Sequence, residues 1–156
     1  MADHRGSLIM DAVIAKIGTD TSAGKHVYRS AARALPPSAK SSIEVHPGAD
    51  EDPEIIGNSF IDSSLTVYVD LLVEANQPAN RAMGVTPAYE KALWTLRKEV
   101  HVKLMATINQ GLTFVVDTLP LGAAEIEYDG QGDSVVAVQS TRWRIKYRTS
   151  RADPSA

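Results

Sequence analysis

The stretch from Val135 to Arg148, VVAVQSTRWRIKYR, has the strongest strand pattern in the chain. Successive side chains of an extended backbone point to opposite faces of a sheet, so Trp143, Ile145 and Tyr147 share one face. The other face receives four basic residues, which we call the basic row: Arg142, Arg144, Lys146 and Arg148. We therefore expect a strand with one face in the core and the other carrying positive charge.

A second long strand is predicted from Ser64 onward. Apolar side chains occupy every second position there, at Leu65, Val67, Val69, Leu71 and Val73. This period of two residues is typical of a central strand with one buried face. Shorter strand patterns occur at residues 24–30, 42–46, 114–118 and 124–128.

Two helices complete the predicted fold. The first covers about residues 7–17, with Ser7 placed to cap its start and Gly18 to end it. The second covers about residues 87–109, starts at Thr86 and Pro87, and carries an apolar stripe from Tyr89 to Ile108. The order of elements predicts an α+β fold: a mostly antiparallel sheet with a short N-terminal helix and one long helix packed on one face.

The chain is predicted to form a single domain, residues 1–156, with an exposed acidic segment. Pro47 to Asn58, PGADEDPEIIGN, combines turn-forming residues with four acids: Asp50, Glu51, Asp52 and Glu54. Such a segment has little to bury and strong charge repulsion, which indicates a mobile loop at about 47–58. Further loops are expected at 31–40 and 75–85, a turn at 129–133 and a flexible tail at about 150–156.

Composition and motifs exclude several classes of site. The chain has no cysteine, which excludes disulfides, thiolate zinc sites and a cysteine nucleophile. The glycine-lysine pair in GTDTSAGKH, residues 18–26, has the wrong spacing for a phosphate-binding loop. The four histidines show no carboxylate at ligand spacing and are expected at the surface or at loop edges: His4, His26, His46 and His101. We expect no enzyme, no catalytic residue, no cofactor and no metal, although distant carboxylates could still assemble a site.

No part of the sequence resembles a membrane segment. The first residues lack the continuous apolar run of a signal peptide, and no stretch approaches about 20 uncharged apolar residues. The sequence predicts a soluble protein made in a cytosol.

The basic row has three interpretations: it is a solvated face, a contact surface for another protein, or a binding surface for nucleic acid. Adjacent like charges repel unless acids on neighbouring strands or subunits neutralise them, and residues 50–54 are a candidate source. The formal net charge of −3 and the absence of an aromatic residue beside the row favour the first two readings over nucleic acid.

Several short motifs occur in an order that resembles the tail terminator proteins of long-tailed bacteriophages. After the first helix come VYR at 27–29, a proline-containing loop, IEVHPG at 43–48, a long strand ending in VEA at 73–75, a long helix, and WRIKYRTSRADP at 143–154. The likeness extends over nearly the whole chain, from Leu8 to Pro154. It rests on the order of features and includes no catalytic signature.

The resemblance implies a non-enzymatic virion protein that assembles as a hexameric ring. Such a ring caps the tail tube, ends tail growth, joins the head and leaves its lumen open for DNA. Partners would then be further copies of the chain, the tail tube protein and a neck or head-completion protein, at the neck end of the virion tail after assembly in the host cytoplasm.

The resemblance also implies that contacts between subunits, and with the tail tube, come from exposed loops, such as 48–57, and from the outer faces of edge strands. The acidic residues Asp50, Glu51, Asp52 and Glu54 of one subunit would meet the basic row of the next. The alternatives are another head-to-tail joining or neck protein, or a small nucleic-acid-binding protein that uses the last strand.

Overall fold

The computed structural model describes residues 4–30, 39–76, 84–131, 134–153 and 155, without the side chains of Asp52, Gln131 and Ser134. The predicted loops at 31–40 and 75–85, the turn at 129–133 and the tail at 150–156 lie partly outside these residues. The elements are α1 (Arg5–Ile17), β1 (Val27–Arg29), β2 (Ser41–Ile56), β3 (Phe60–Glu74), α2 (Ala88–Met105), β4 (Val115–Ala123), β5 (Glu127–Gln131) and β6 (Ser134–Ser150).

The described strands form one sheet in the order β1-β2-β3-β6-β4, with β5 also paired to β6. Only β1 and β2 run parallel, and every other pair is antiparallel. The two strands predicted most strongly, β3 and β6, pair from Phe60 opposite Ser150 to Glu74 opposite Val136. The predicted α+β fold is confirmed.

Both helices pack on the same face of this sheet. They contribute eight buried side chains, at Ile9, Met10, Val13, Ile17, Leu93, Leu96, Val100 and Leu104. These contact the alternating residues of β3 and the buried side chains of Trp143, Ile145 and Tyr147 in one core. The predicted inward face of β6 is therefore confirmed, and Arg144, Lys146 and Arg148 of the basic row lie on the opposite face.

The helix ends differ from the prediction. Helix α1 begins at Arg5 instead of Ser7, because the His4 ring caps it by accepting a hydrogen bond from the Gly6 N–H at 3.1 Å. Helix α2 ends at Met105, so Ile108 is 49% exposed and does not extend the core stripe. The chain turns there because the buried side chain of Gln110 donates to the Leu104 carbonyl and to Thr118 Oγ1, both at 2.9 Å.

The prediction of a mobile acidic loop at 47–58 was wrong. Residues 47–56 continue β2 and pair with β3, and only residues 57–59 form the turn. The ladder tolerates Pro47 and Pro53 because this half of β2 is a sheet edge in the described structure, and because two register shifts interrupt its pairing. The expected exposure holds for Asp50, Glu51 and Glu54.

Neither described helix has the length and hydrophobicity required to cross a membrane.

Gly48 lies at the first of these register shifts, where β2 approaches β3 closely. A Cβ atom at this position would lie 2.6 Å from Tyr68 Cε2 and 3.0 Å from the Thr66 carbonyl oxygen. We expect Gly48→Ala to lower the free energy of unfolding by about 1–3 kcal/mol, measured by urea denaturation, because β3 must shift to make room.

Two further variants check this cause. Adding Tyr68→Leu to Gly48→Ala removes the nearest clashing atom and should recover part of the loss. Ala49→Ser, at the exposed neighbouring position, should stay within about 0.5 kcal/mol of the wild type. An unchanged free energy of unfolding for Gly48→Ala would contradict the close approach of the strands.

Candidate functional site

The acidic segment and the basic row meet within one chain. Because β3 pairs with both β2 and β6, acids of β2 and β3 lie beside bases of β6 on the face away from the helices. We call these six residues the charged ladder: Glu51, Glu54, Asp62, Arg144, Lys146 and Arg148. Its contacts are Arg144–Glu51 at 3.5 Å, Lys146–Glu54 at 3.4 Å and Lys146–Asp62 at 3.6 Å.

The strongest interaction of the ladder joins Asp62 and Arg148. Arg148 Nε and Nη2 donate to the two carboxylate oxygens of Asp62 at 2.7 and 3.1 Å, a bidentate geometry that suits guanidinium and carboxylate groups. The Asp62 side chain is only 4% exposed. Hydrogen bonding to Arg148 lowers the pKa of Asp62 against the opposing effect of burial, and the same bonds raise the pKa of Arg148. Asp62 was not among the residues predicted from the sequence.

Asp50 takes part in a different contact, on the helix-covered face. The Tyr147 hydroxyl, in a side chain that is 3% exposed overall, donates to Asp50 Oδ1 at 3.5 Å. Burial raises the pKa of Tyr147, and the nearby charge of Asp50 adds to this effect. The tyrosine therefore stays neutral and keeps its proton for Asp50 at physiological pH.

The two remaining predicted residues are separate from these contacts. Arg142 is exposed and lines a groove between α2 and the strands β4 and β6. Asp52 belongs to β2, but its side chain lies outside the described part of the structure. Of the acids and bases expected to meet between subunits, Glu51 meets Arg144 and Glu54 meets Lys146 within one chain. A contact of either group with a neighbouring copy stays a prediction.

The structure also shows a polar cluster that sequence reasoning missed. His46 Nε2 lies 3.5 Å from Glu44 Oε2 and 3.3 Å from Asp70 Oδ2, so the expectation that no carboxylate lies near a histidine was wrong for His46. Glu44 and Asp70 are each 1% exposed and face each other across β2 and β3. The sequence did contain a signal for this cluster. Glu44 and His46 are two residues apart, which places them on the same face of a strand, and Asp70 interrupts an apolar run.

This cluster offers the donor set of a divalent metal ion. One ligand atom from each residue lies within 4.8 Å of the other two, and imidazole with carboxylates suits first-row ions. A pocket of about 310 Å³ opens beside it, lined by His46, Tyr68, Asp70 and Ser140. Paired carboxylates on neighbouring strands repel, and positive charge from a proton on His46 or from a cation would relieve that repulsion.

A scan against models of known protein families and a search of curated proteins found no match to this chain.

The Asp62–Arg148 pair gives stability a defined pH dependence. Because the folded-state pKa of Asp62 is depressed, its contribution is complete above the unfolded pKa of about 4 and disappears as the pH falls toward the folded value. We expect Asp62→Asn to lower the free energy of unfolding by about 1 kcal/mol at pH 7, since water screens the exposed side of the pair. The difference from the wild type should shrink below pH 4.

The matched control is Glu54→Gln, which changes the same type of charge in the same ladder. The Glu54 side chain is 67% exposed with a single ladder contact, so its loss should change stability by no more than about 0.5 kcal/mol. Urea denaturation of both variants between pH 3 and 7 measures this. A wild-type-minus-variant difference for Asp62→Asn that does not vary with pH would contradict the assignment.

Proposed function

We propose that this chain is a structural virion protein that forms a ring on the end of a bacteriophage tail tube. The ring ends tail growth and provides the surface that joins the head. Its partners are five further copies of the chain, the tail tube protein and a neck or head-completion protein, with DNA only passing through the lumen. The order of motifs that resembles tail terminators supports this proposal, and so does the helix, strand, helix, strand architecture.

The observation that carries the proposal is the distribution of exposed apolar side chains. Several of them lie at three places: the β2–β3 hairpin end, helix α2 and the outer strand β4. These are Ile55, Phe60, Trp94, Val102, Val116 and Leu119, with exposed fractions of 61, 49, 55, 58, 44 and 41%, while Val85, Ile108 and Tyr128 are exposed elsewhere in the described chain. Exposed apolar groups that cluster at distinct places mark protein contacts, and a ring subunit needs at least two such surfaces.

The charged ladder argues against the nucleic-acid alternative. Three of the four residues of the basic row already have carboxylate partners on β2 or β3. A phosphate backbone would have to replace these partners, which weakens its attraction to the row. The other alternative, a different joining protein of the virion neck, uses the same kinds of surface and differs only in its place in the particle.

Negative-stain electron microscopy tests the proposal directly. The purified chain, mixed with open tail tubes of its own phage, should form six-fold rings on one tube end and stop further addition of tube protein. Completed tails are the matched control, because their ends are already closed and should acquire no ring. Tubes that continue to grow in excess protein, without a ring at either end, would contradict the proposal.

A further inference from the structure

A groove runs between α2 and the strands β4 and β6. One wall is a second face of α2, distinct from the core stripe, and the other wall includes Pro120, Arg142 and Trp143. Its volume is about 390 Å³. The helix contributes Trp94, Arg97, Lys98, His101 and Val102, which recur at the three- and four-residue spacing of one helical face.

The groove combines an apolar surface with unpaired positive charge. Trp94 and Val102 remain more than half exposed. Arg97, Lys98 and Arg142 have no ion pair with any residue that the structure describes, and none of the described lining residues is acidic. This chemistry fits a segment with an apolar anchor beside carboxylates.

The chain itself carries a segment of this kind at the end of the β2–β3 hairpin. Ile55 is 61% exposed and Phe60 is 49% exposed. Glu51 and Glu54 lie on the face of the hairpin that Phe60 shares, and Ile55 lies on the other face. The two carboxylate side chains stay 45% and 67% exposed despite their ladder contacts. Exposed ion pairs of this length hold weakly, so these carboxylates can also face a neighbour's cations. We call residues 51–60 the acidic tip.

The hydrophobic end of the acidic tip, at Phe60, cannot reach the groove of its own chain. In the sheet, Phe60 is paired with Ser150, whereas the groove lies at Arg142, eight residues away along β6. At about 3.3 Å per residue this is a separation of roughly 26 Å along a rigid strand. The two surfaces can therefore meet only between copies.

We propose that the groove between α2 and β4 binds the acidic tip of a second copy of this chain, with Phe60 against Trp94 and Val102 and the tip carboxylates near Arg97, Lys98 and Arg142. The contact joins two different surfaces, so each subunit offers one of each and successive contacts close into a ring. This inference rests on the proposed function and supplies the subunit contact that it requires.

The test uses the full chain with one change on each surface. Arg97→Glu reverses an exposed groove charge, and Phe60→Ser removes the apolar anchor of the tip. Each variant alone should require at least about tenfold more protein than the wild type to assemble, measured by sedimentation velocity. Lys91→Glu, an equal charge change at an exposed α2 position outside the groove, should assemble as the wild type does. Thermal melts establish that all variants are folded.

Mixing the two variants gives the sharpest result. The tip of Arg97→Glu is intact and so is the groove of Phe60→Ser, so one good contact forms per pair. The mixture should yield dimers in which each variant is present once, and no rings. Rings formed by either variant at wild-type concentrations would overturn the proposed contact.

The remaining outcomes separate this contact from the terminator function. If the wild type caps tubes while both variants still form rings, the contact is wrong and the terminator function stands. If the variants impair ring formation as expected but wild-type rings do not bind tail tubes, the contact stands and the terminator function fails. A wild type that stays monomeric but binds tubes through Arg97 would make the tube protein the occupant and overturn the self-contact.

Discussion

The antiparallel ladder between β3 and β6 is the constraint on which the rest of the structure depends. Side chains alternate faces with a period of two, so a slip of one residue would exchange every buried group for an exposed one. With the observed register, Val67 lies beside Trp143 and Leu65 beside Ile145 under the helices. The same register places Asp62 opposite Arg148 on the other face. One set of backbone hydrogen bonds therefore determines both the core and the charged ladder.

Much of the fold could be predicted because its signals are local. The alternation in β3 and β6 and the apolar stripe of α2 depend only on neighbouring residues, and each gave the correct element and the correct buried face. The prediction was wrong where a distant contact decided the outcome. Helix α2 ends earlier than predicted, and the chain turns after it because the Gln110 side chain bonds to Thr118. In β2, pairing with β3 extends the strand through a proline-containing segment whose sequence alone predicts a loop.

The sequence identified charged residues that take part in the charged ladder, but not which residues they contact. The sequence identified eight residues on two segments. Arg144 and Lys146 of the basic row contact acids of β2 across the intervening strand β3, and Arg148 contacts Asp62 on β3 itself. Asp62 and the Glu44–His46–Asp70 cluster were missed because their neighbours come from other strands at a register that only the folded sheet supplies. Arg142 belongs to the same row yet lines the groove beside α2, next to the register shift of β4 between Pro120 and Gly122.

The outer edge of β2 has one more consequence. Prolines at positions 47 and 53 carry no backbone N–H, and two bulges bend the strand, so this edge offers no regular row of donors and acceptors to an incoming strand. An incoming strand of another molecule would find no continuous backbone ladder here, so pairing through this edge is disfavoured. Any association along it must use side chains instead.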